Sequence, residues 1–377
     1  MFVDLYAIQN VPPSNINRDD TGSPKTAVYG GSLRARVSSQ AWKRSIRQMF
    51  QEILPQDQLG VRTKLAVSLI AERIASLRPD LGEAAEDLAQ AALTATGVKV
   101  KASARKGSDE GSLETDYLIF IAQSELDGLA GVAISWADAG KNISKSDKEM
   151  KAQISEVFHG KQAVDIALFG RMLADAPDLN TDASCQVAHA ISVDRVTQEY
   201  DYFTAVDDCT SNDNAGAGML GTVEFNSSTL YRYATINVKA LEKQLGDSKA
   251  TIEAVKAFAD AFARSMPTGK SNTFANRTLP STLLVAVRDE QPVNLAAAFE
   301  DPVKPADGQS VSVIAEQRLA EELEKLAAAY GMAPSKGWVV SINEVTDFGE
   351  RVEPTTLEGL LDGLADELGK ELPAGEE

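Results

Sequence analysis

The residues best suited to chemistry lie between Ser14 and Arg47. The stretch runs Ser14-Asn15-Ile16-Asn17-Arg18-Asp19-Asp20, then Pro24-Lys25, Tyr29-Gly30-Gly31, and Arg36-Val37-Ser38-Ser39-Gln40-Ala41-Trp42-Lys43-Arg44. From Arg18 to Arg47, seven cations (Arg18, Lys25, Arg34, Arg36, Lys43, Arg44, Arg47) stand against two acids, a local net charge of +5. Ser38 or Ser39 can cap a helix whose free N–H groups and early cations suit phosphate oxygens. Lys43 and Arg47, an i,i+4 pair beside Arg44, can project together from one face of that helix. A solvated basic helix face is the plainer reading, and the residue pattern alone leaves both open.

Other motifs carry less. Gly216-Ala217-Gly218-Met219-Leu220-Gly221 matches G-x-G-x-x-G, but the dinucleotide fingerprint needs a strand before it and a helix after it. Here a strand follows, so a loop tip is the better reading. Gly269-Lys270-Ser271 suggests a P-loop, yet the position of its first glycine is Arg264, and an NTPase is rejected. His159 and His189 have no Cys or His at ligand spacing, Cys185 and Cys209 form no Cys-x-x-Cys pair, and no zinc or other metal site is expected. No Gly-x-Ser-x-Gly elbow occurs. Asp19-Asp20 and Asp207-Asp208 could hold magnesium for phosphodiester cleavage, but neighbouring residues in an extended segment point opposite ways, and loop capping is the commoner role.

The elements that must position these residues sit in a chain of 377 residues, 44% hydrophobic, enough to bury a substantial core. Apolar runs such as Leu283–Val287 are far too short to span a bilayer, and the start carries no secretory pattern. Two cysteines build no disulfide framework, so a reducing cytoplasm is expected. The net charge is −18, which alone argues against nucleic acid. Its distribution is uneven: from Ser341 to Glu377 eleven acids face two basic residues, a net −9. The result is a positive patch on an acidic body.

Residues 2–8 alternate as a strand. Residues 10–37 read as one long loop, rich in Pro and Gly. Trp42, Ile46, Met49 and Phe50 recur at helical spacing, and Pro55 ends that helix. Helices are expected over 61–96 with a break at Pro79, and again over roughly 114–130. After about residue 186 the period shifts towards 2, with strands at 221–225, 229–238, 283–287 and 338–342 and helices near 252–266 and 313–330. Leu357, Leu360, Leu361, Leu364 and Leu368 form an apolar helical stripe that packs on a neighbour or on the protein itself. The order fits an α+β, ferredoxin-like sandwich with a helical insertion at about 60–175.

At the Ser14–Arg47 unit the sequence resembles the CasC-type backbone subunit of type I-E Cascade, the CRISPR RNA-guided surveillance complex. That family carries a Leu/Ile-Asn-Arg-Asp-Asp block, a Lys, a Phe/Tyr-Gly-Gly turn and an Arg-Ile/Val-Ser-Ser-Gln-x-x-Lys-Arg helix start in this order. Three later blocks agree: Ala167-Leu168-Phe169-Gly170-Arg171-Met172, Tyr202-Phe203-Thr204-Ala205-Val206-Asp207-Asp208, and Leu220-Gly221-Thr222-Val223-Glu224-Phe225 continuing to Tyr231–Asn237. The segment 97–112 and the acidic tail find no counterpart.

The resemblance implies a hand-like, non-enzymatic protein: an RRM/ferredoxin-like palm (1–60, 176–193 and 222–345), a helical fingers insertion (61–175), a β-hairpin thumb (194–221) and an acidic tail (346–377). It implies CRISPR RNA as ligand, target DNA reached through the guide, further copies in a head-to-tail filament, and other Cascade subunits (CasA, CasB, CasD and CasE) as partners, with no cofactor and no membrane. Carried over by position, Arg18, Lys25, Gln40, Lys43, Arg44 and Arg47, with Arg34 and Arg36, line the RNA backbone. Met172 is an apolar wedge against a base, and Lys270 and Asn272 belong to a further RNA-binding block. Tyr202, Phe203, Gly216, Gly218, Leu220 and Gly221 build the thumb. No RNP1 consensus is present, so base stacking on sheet aromatics is not expected. The rival reading is a metal-dependent backbone ribonuclease of the type III kind, cutting bound RNA at the thumb through Asp207.

Overall fold

The computed structural model describes residues 1–103, 111–141, 148–205, 219–306, 308–343 and 346–372. The chain divides into two compact units. The sheet unit comprises Met1–Met49, Gln186–Val238 and Val255–Pro373, and the helical unit comprises Phe50–Cys185 and Lys239–Ala254.

The sheet unit is built on β1 (Phe2–Ser14), whose residues 3–9 are all buried. Such a run belongs in a sheet interior. β1 pairs antiparallel with Met219–Asn237 on one side and Thr282–Arg288 on the other. The sheet order is Val352–Pro354, Lys336–Ser341, Thr282–Arg288, β1, Met219–Asn237, Ala190–Ser192, β3 (Ser32–Val37), β2 (Thr26–Tyr29). The α+β class holds. The long loop expected over 10–37 is corrected at both ends. β1 runs on to Ser14, and Thr26–Tyr29 pairs with Ser32–Val37 as a hairpin. Gly30 (φ +55°) and Gly31 (φ +69°) form its two-residue turn, the left-handed pair that matches strand twist.

Alternation along the long strand assigns its side chains to two faces. Tyr231 and Tyr233 join Tyr6, Ile8, Leu284, Phe299, Leu319 and Leu323 in one core, covered by the helix Val311–Tyr330. Leu230 turns the other way, into a cluster with Val11, Val37, Met266 and Trp42 of α1 (Ser39–Ile53). Arg232 points the same way. Its buried guanidinium stacks 3.7 Å from the Trp42 ring centroid and 4.3 Å from that of Phe262. It donates 2.6 Å hydrogen bonds to Gln9 Oε1 and to the Phe262 carbonyl. Burial pushes its pKa below the usual arginine range. A cation–π sandwich thus fixes the buried stripe of α1, and with it the face that carries the helix's cations.

The buried carboxylate of Asp4 in β1 accepts from Arg288 Nε (2.7 Å), the hydroxyls of Tyr6 (3.0 Å) and Tyr233 (3.1 Å), and the Val293 amide (2.9 Å). These contacts offset only part of the desolvation, and burial still holds the Asp4 carboxyl above the usual aspartate range. The carboxy-terminal helix Leu357–Glu371 buries Leu360, Leu364 and Leu368. Gly363 lies against the Trp338 indole, and Asp362 pairs with Lys256 at 2.8 Å. The leucine stripe therefore packs on the protein itself.

The helical unit gathers Ala66–Leu77, Ala85–Ala95, Gln123–Asp138 and Lys148–His159 around a core that includes Ile70, Ile74, Leu93, Leu129, Trp136 and Ile154. Pro79 opens a 3-10 turn between the first two, the break expected there. The helix expected from 114 begins only at Gln123. Before it, Leu113–Thr115 and Ile119–Ala122 are strands, the latter a fully buried Ile-Phe-Ile-Ala run. No helix among the described residues is long and apolar enough to cross a membrane.

Candidate nucleic-acid interface

The loop between β1 and β2 is held by its own asparagines. Asn15 is buried, and its Nδ2 donates to the carbonyls of Gly22 and Glu224, both at 2.9 Å. Asn17 Oδ1 accepts from the Ser38 amide at 2.8 Å, which ties the loop to the start of α1. The Ala41 amide donates to the Ser38 carbonyl at 3.0 Å, with Ser38 Oγ at 3.4 Å, so Ser38 rather than Ser39 closes the helix N-terminus. Asp19 Oδ1 accepts from the Thr21 hydroxyl (2.7 Å), the Thr21 amide (2.9 Å) and the Ser23 amide (3.0 Å). Those bonds, led by the Thr21 hydroxyl, hold its carboxyl below the usual aspartate range. Asp19 therefore acts as the loop cap, leaving Arg18 and Asp20 exposed on the rim.

A second segment closes the site from far along the chain. Gly269 approaches the loop so closely that a β-carbon there would stand 2.3 Å from the Ile16 carbonyl oxygen. Lys270 follows with φ +51°, a left-handed backbone uncommon for a side-chain-bearing residue. Between loop, α1 and this segment lies an open cleft of about 700 Å³, lined by 16–22, by Ala41, Arg44, Ser45 and Gln48, and by 267–270. Arg18, Arg44 and Lys270 thus meet in one concavity with Asp19 and Asp20. Three cations beside a set of backbone polar groups can hold successive phosphates without reading bases. Gly269→Ala is expected to force the 15–16 backbone away, cost about 1–3 kcal/mol by overpacking and weaken any anion bound in the cleft. Chemical denaturation with a parallel binding titration checks both effects.

A family model described as CT1975-like protein matches residues 3–363. The chain belongs to the CT1975-like family. A search of curated proteins found no match. Among solved structures, a chain of a "CRISPR RNA-guided surveillance complex, pre-nicking" is similar at 33% identity and a TM-score of 0.83, covering 98% of this chain and 100% of that one. A chain of a "CRISPR RNA-guided surveillance complex" is similar at 29% identity and a TM-score of 0.73, covering 97% and 100%. The CasC-type resemblance read from the sequence is borne out at the level of the family.

In this CT1975-like chain the expected RNA residues do not all gather in the cleft. Lys43 and Arg47 are half-buried on α1 and do not line it, Gln40 is exposed in the first turn, and Asn272 is exposed in the short helix Ser271–Phe274. Lys25 and Arg36 line a separate small cavity. Arg34 is a correction. It is fully buried, with Nη1 donating to the carbonyls of Ser192 (2.9 Å) and Val193 (2.8 Å) and Nη2 to those of Phe299 and Glu300 (both 2.9 Å). A guanidinium so enclosed braces the sheet and has no surface for a strand of RNA.

In the helical unit, Met172 is 80% exposed at the start of a turn anchored by its neighbour. Arg171 Nη1 lies 2.7 Å from both carboxylate oxygens of Glu125, and its Nε donates to the Leu179 carbonyl at 3.1 Å. The hairpin Glu199–Ala205 pairs Tyr202 with Thr222 and Phe203 with Gly221. The Phe203 ring occupies the space where Gly221 lacks a β-carbon. Tyr200 and Tyr202, two residues apart and so on one face, are both more than 60% exposed. Gly216, Gly218, Asp207 and the side chain of Leu220 lie outside the described residues.

The sequence reading missed three contributors: Gly269, whose role rests on close approach to Ile16; Gln48, one turn beyond Arg44; and His189, which meets Arg36 across 153 residues. Only Gln48 left a sequence signal, its i,i+4 spacing from Arg44 on one helix face.

Proposed function

We propose that this chain is the guide-RNA-binding backbone subunit of a type I-E Cascade complex. Copies stack head-to-tail along one CRISPR RNA in a non-closing, helical arrangement. Each thumb folds over the strand and kinks it at regular intervals, leaving short runs of bases to pair with target DNA. The role is structural rather than enzymatic, in the cytoplasm, alongside CasA, CasB, CasD and CasE.

The single observation that carries this reading is the cleft in which Arg18, Arg44 and Lys270 converge. A subunit that serves every spacer must hold the sugar–phosphate strand and leave sequence to base pairing. The two surveillance-complex chains, matched over almost the whole length of this one, support it. The exposed Met172 and the exposed aromatic face of the hairpin suit apolar contact with unstacked bases.

The test is purification from cells that also express a CRISPR array, followed by sizing and sequencing of the copurified nucleic acid. The expected result is RNA of one length class with unrelated spacer sequences and several protein copies per RNA. A nucleic-acid-free monomer or dimer would count against the proposal.

A further inference from the structure

We propose that Asn15 and Phe274 are positioning residues that hold the root of the hairpin, so that its exposed tyrosines meet the same RNA strand that the cleft grips. The inference deepens the guide-RNA reading and rests on it.

The strand Met219–Asn237 changes partner part-way along. From Asn226 to Asn237 it pairs with β1, and the last pair is Asn226 with Ser14. Glu199 then pairs with Phe225, and the hairpin runs on from there to Ala205 and Met219. Pro12 and Pro13 have no N–H to donate, and the β1 register shifts across them, between Val11 and Ser14. The ladder is thus interrupted beside the point where the hairpin leaves the sheet. A two-stranded hairpin has little of its own to fix its direction, so contacts at the root must supply it.

Glu224 and Phe225 form that root, and each is held by a different wall of the cleft. From the loop, the buried Asn15 Nδ2 donates to the Glu224 carbonyl and to the carbonyl of Gly22, a cleft-lining residue, both at 2.9 Å. From the distant segment, the Phe274 ring lies 5.8 Å from the Phe225 ring, centroid to centroid, at an interplanar angle of 45°. Tyr200, one of the two exposed tyrosines, stands directly opposite Glu224 in the ladder.

The backbone fixes the place of Phe274 in turn. Lys270 (φ +51°) and Ala275 (φ +47°) are the only non-glycine residues with positive φ among the described residues, and they bracket the single turn Ser271–Phe274. The Phe274 amide donates to the Lys270 carbonyl at 3.1 Å, and the Ala275 amide to the Ser271 carbonyl at 2.8 Å. Left-handed backbone costs energy in a residue with a β-carbon, and it persists where the surroundings over-determine it, often at ligand clamps. Here one turn carries Lys270 to the cleft at one end and Phe274 to the hairpin root at the other. The phosphate grip and the tyrosine face therefore share one frame.

The experiment measures the affinity of the full chain for a single-stranded oligouridine. Tyr200→Ala with Tyr202→Ala is made in wild type and again in a Phe274→Ala background. In wild type the tyrosine pair is expected to contribute about tenfold, the low end for two base–aromatic contacts. In the Phe274→Ala background it is expected to contribute less than about twofold, because the two sites are coupled. Phe274→Leu, which keeps apolar bulk against Phe225, should restore most of the contribution, and Phe225→Ala should match Phe274→Ala. All of these variants should keep the salt slope of the cleft. Hydrogen exchange on wild type tests the same frame without a substitution: RNA is expected to slow the amides of 199–205 together with those of 224 and 225. A tyrosine contribution equal in both backgrounds or absent from wild type overturns the positioning role while the guide-RNA reading stands. So does a Phe274→Ala salt slope as shallow as that of a cleft-cation variant, or a hairpin whose exchange RNA does not change. Absence of RNA binding by wild type overturns both.

Discussion

Arg171→Ala is expected to destabilise the helical unit by roughly 3–5 kcal/mol, because it strands a buried carboxylate. The side chains of Arg171 and Glu125 are 1% and 3% exposed. The pair is two-pronged, and the Ala122 amide adds a 2.8 Å bond to Glu125 Oε2. Burial already raises the Glu125 carboxyl above the usual range, with Arg171 as the main opposing influence. Removing the arginine raises it further. A carboxyl whose folded-state pKa exceeds its unfolded value weakens folding as pH rises between the two. The penalty in Arg171→Ala should therefore shrink as pH falls and be smallest near and below the unfolded carboxyl value. A double change to Arg171→Met with Glu125→Leu should be far milder, since no lone charge remains. Urea denaturation of the three proteins from pH 4.5 to 8 checks both the size and the pH trend. The variant also loses the Leu179 bond beside the exposed Met172, so the display of that methionine is expected to suffer with stability.

The second large effect is functional. Replacing Arg18, Arg44 and Lys270 together by alanine should weaken RNA binding about 100-fold near 0.1 M salt, each cation contributing roughly 0.7 to the log–log salt slope on a single strand. None of the three is buried. Their loss removes charge from the cleft wall and little packing, so the fold should persist. The loss should be the same for unrelated RNA sequences, because phosphate contacts carry no base information.

The parts legible in sequence were those written locally. The Trp42, Ile46, Met49 and Phe50 spacing placed α1 with its basic turns, and Pro55 placed its end, because a helix face repeats within a few residues. The hairpin over 26–37 was not seen. Its strands are short, and Arg34 sits at a buried position where the pattern expects an apolar residue. The Gly30-Gly31 pair was the one available signal. Arg34 also shows why a charge count overestimates a patch. Seven cations lie between Arg18 and Arg47, yet one of them is enclosed by carbonyls from residues 192–193 and 299–300. What brings Lys270 to Arg18 is the approach of Gly269 to Ile16, and what seats Trp42 is Arg232. These contacts join residues some 190 to 250 positions apart, beyond the reach of any local periodicity.

The central claim is that cations of the cleft neutralise the phosphates of a bound RNA strand. A salt titration of RNA affinity, run on wild type and the Arg18/Arg44/Lys270 triple variant with several unrelated sequences, tests it most directly. The predicted result is a salt slope shallower by about 2 in the variant, equal across sequences. An unchanged slope, or a loss confined to particular sequences, would contradict it.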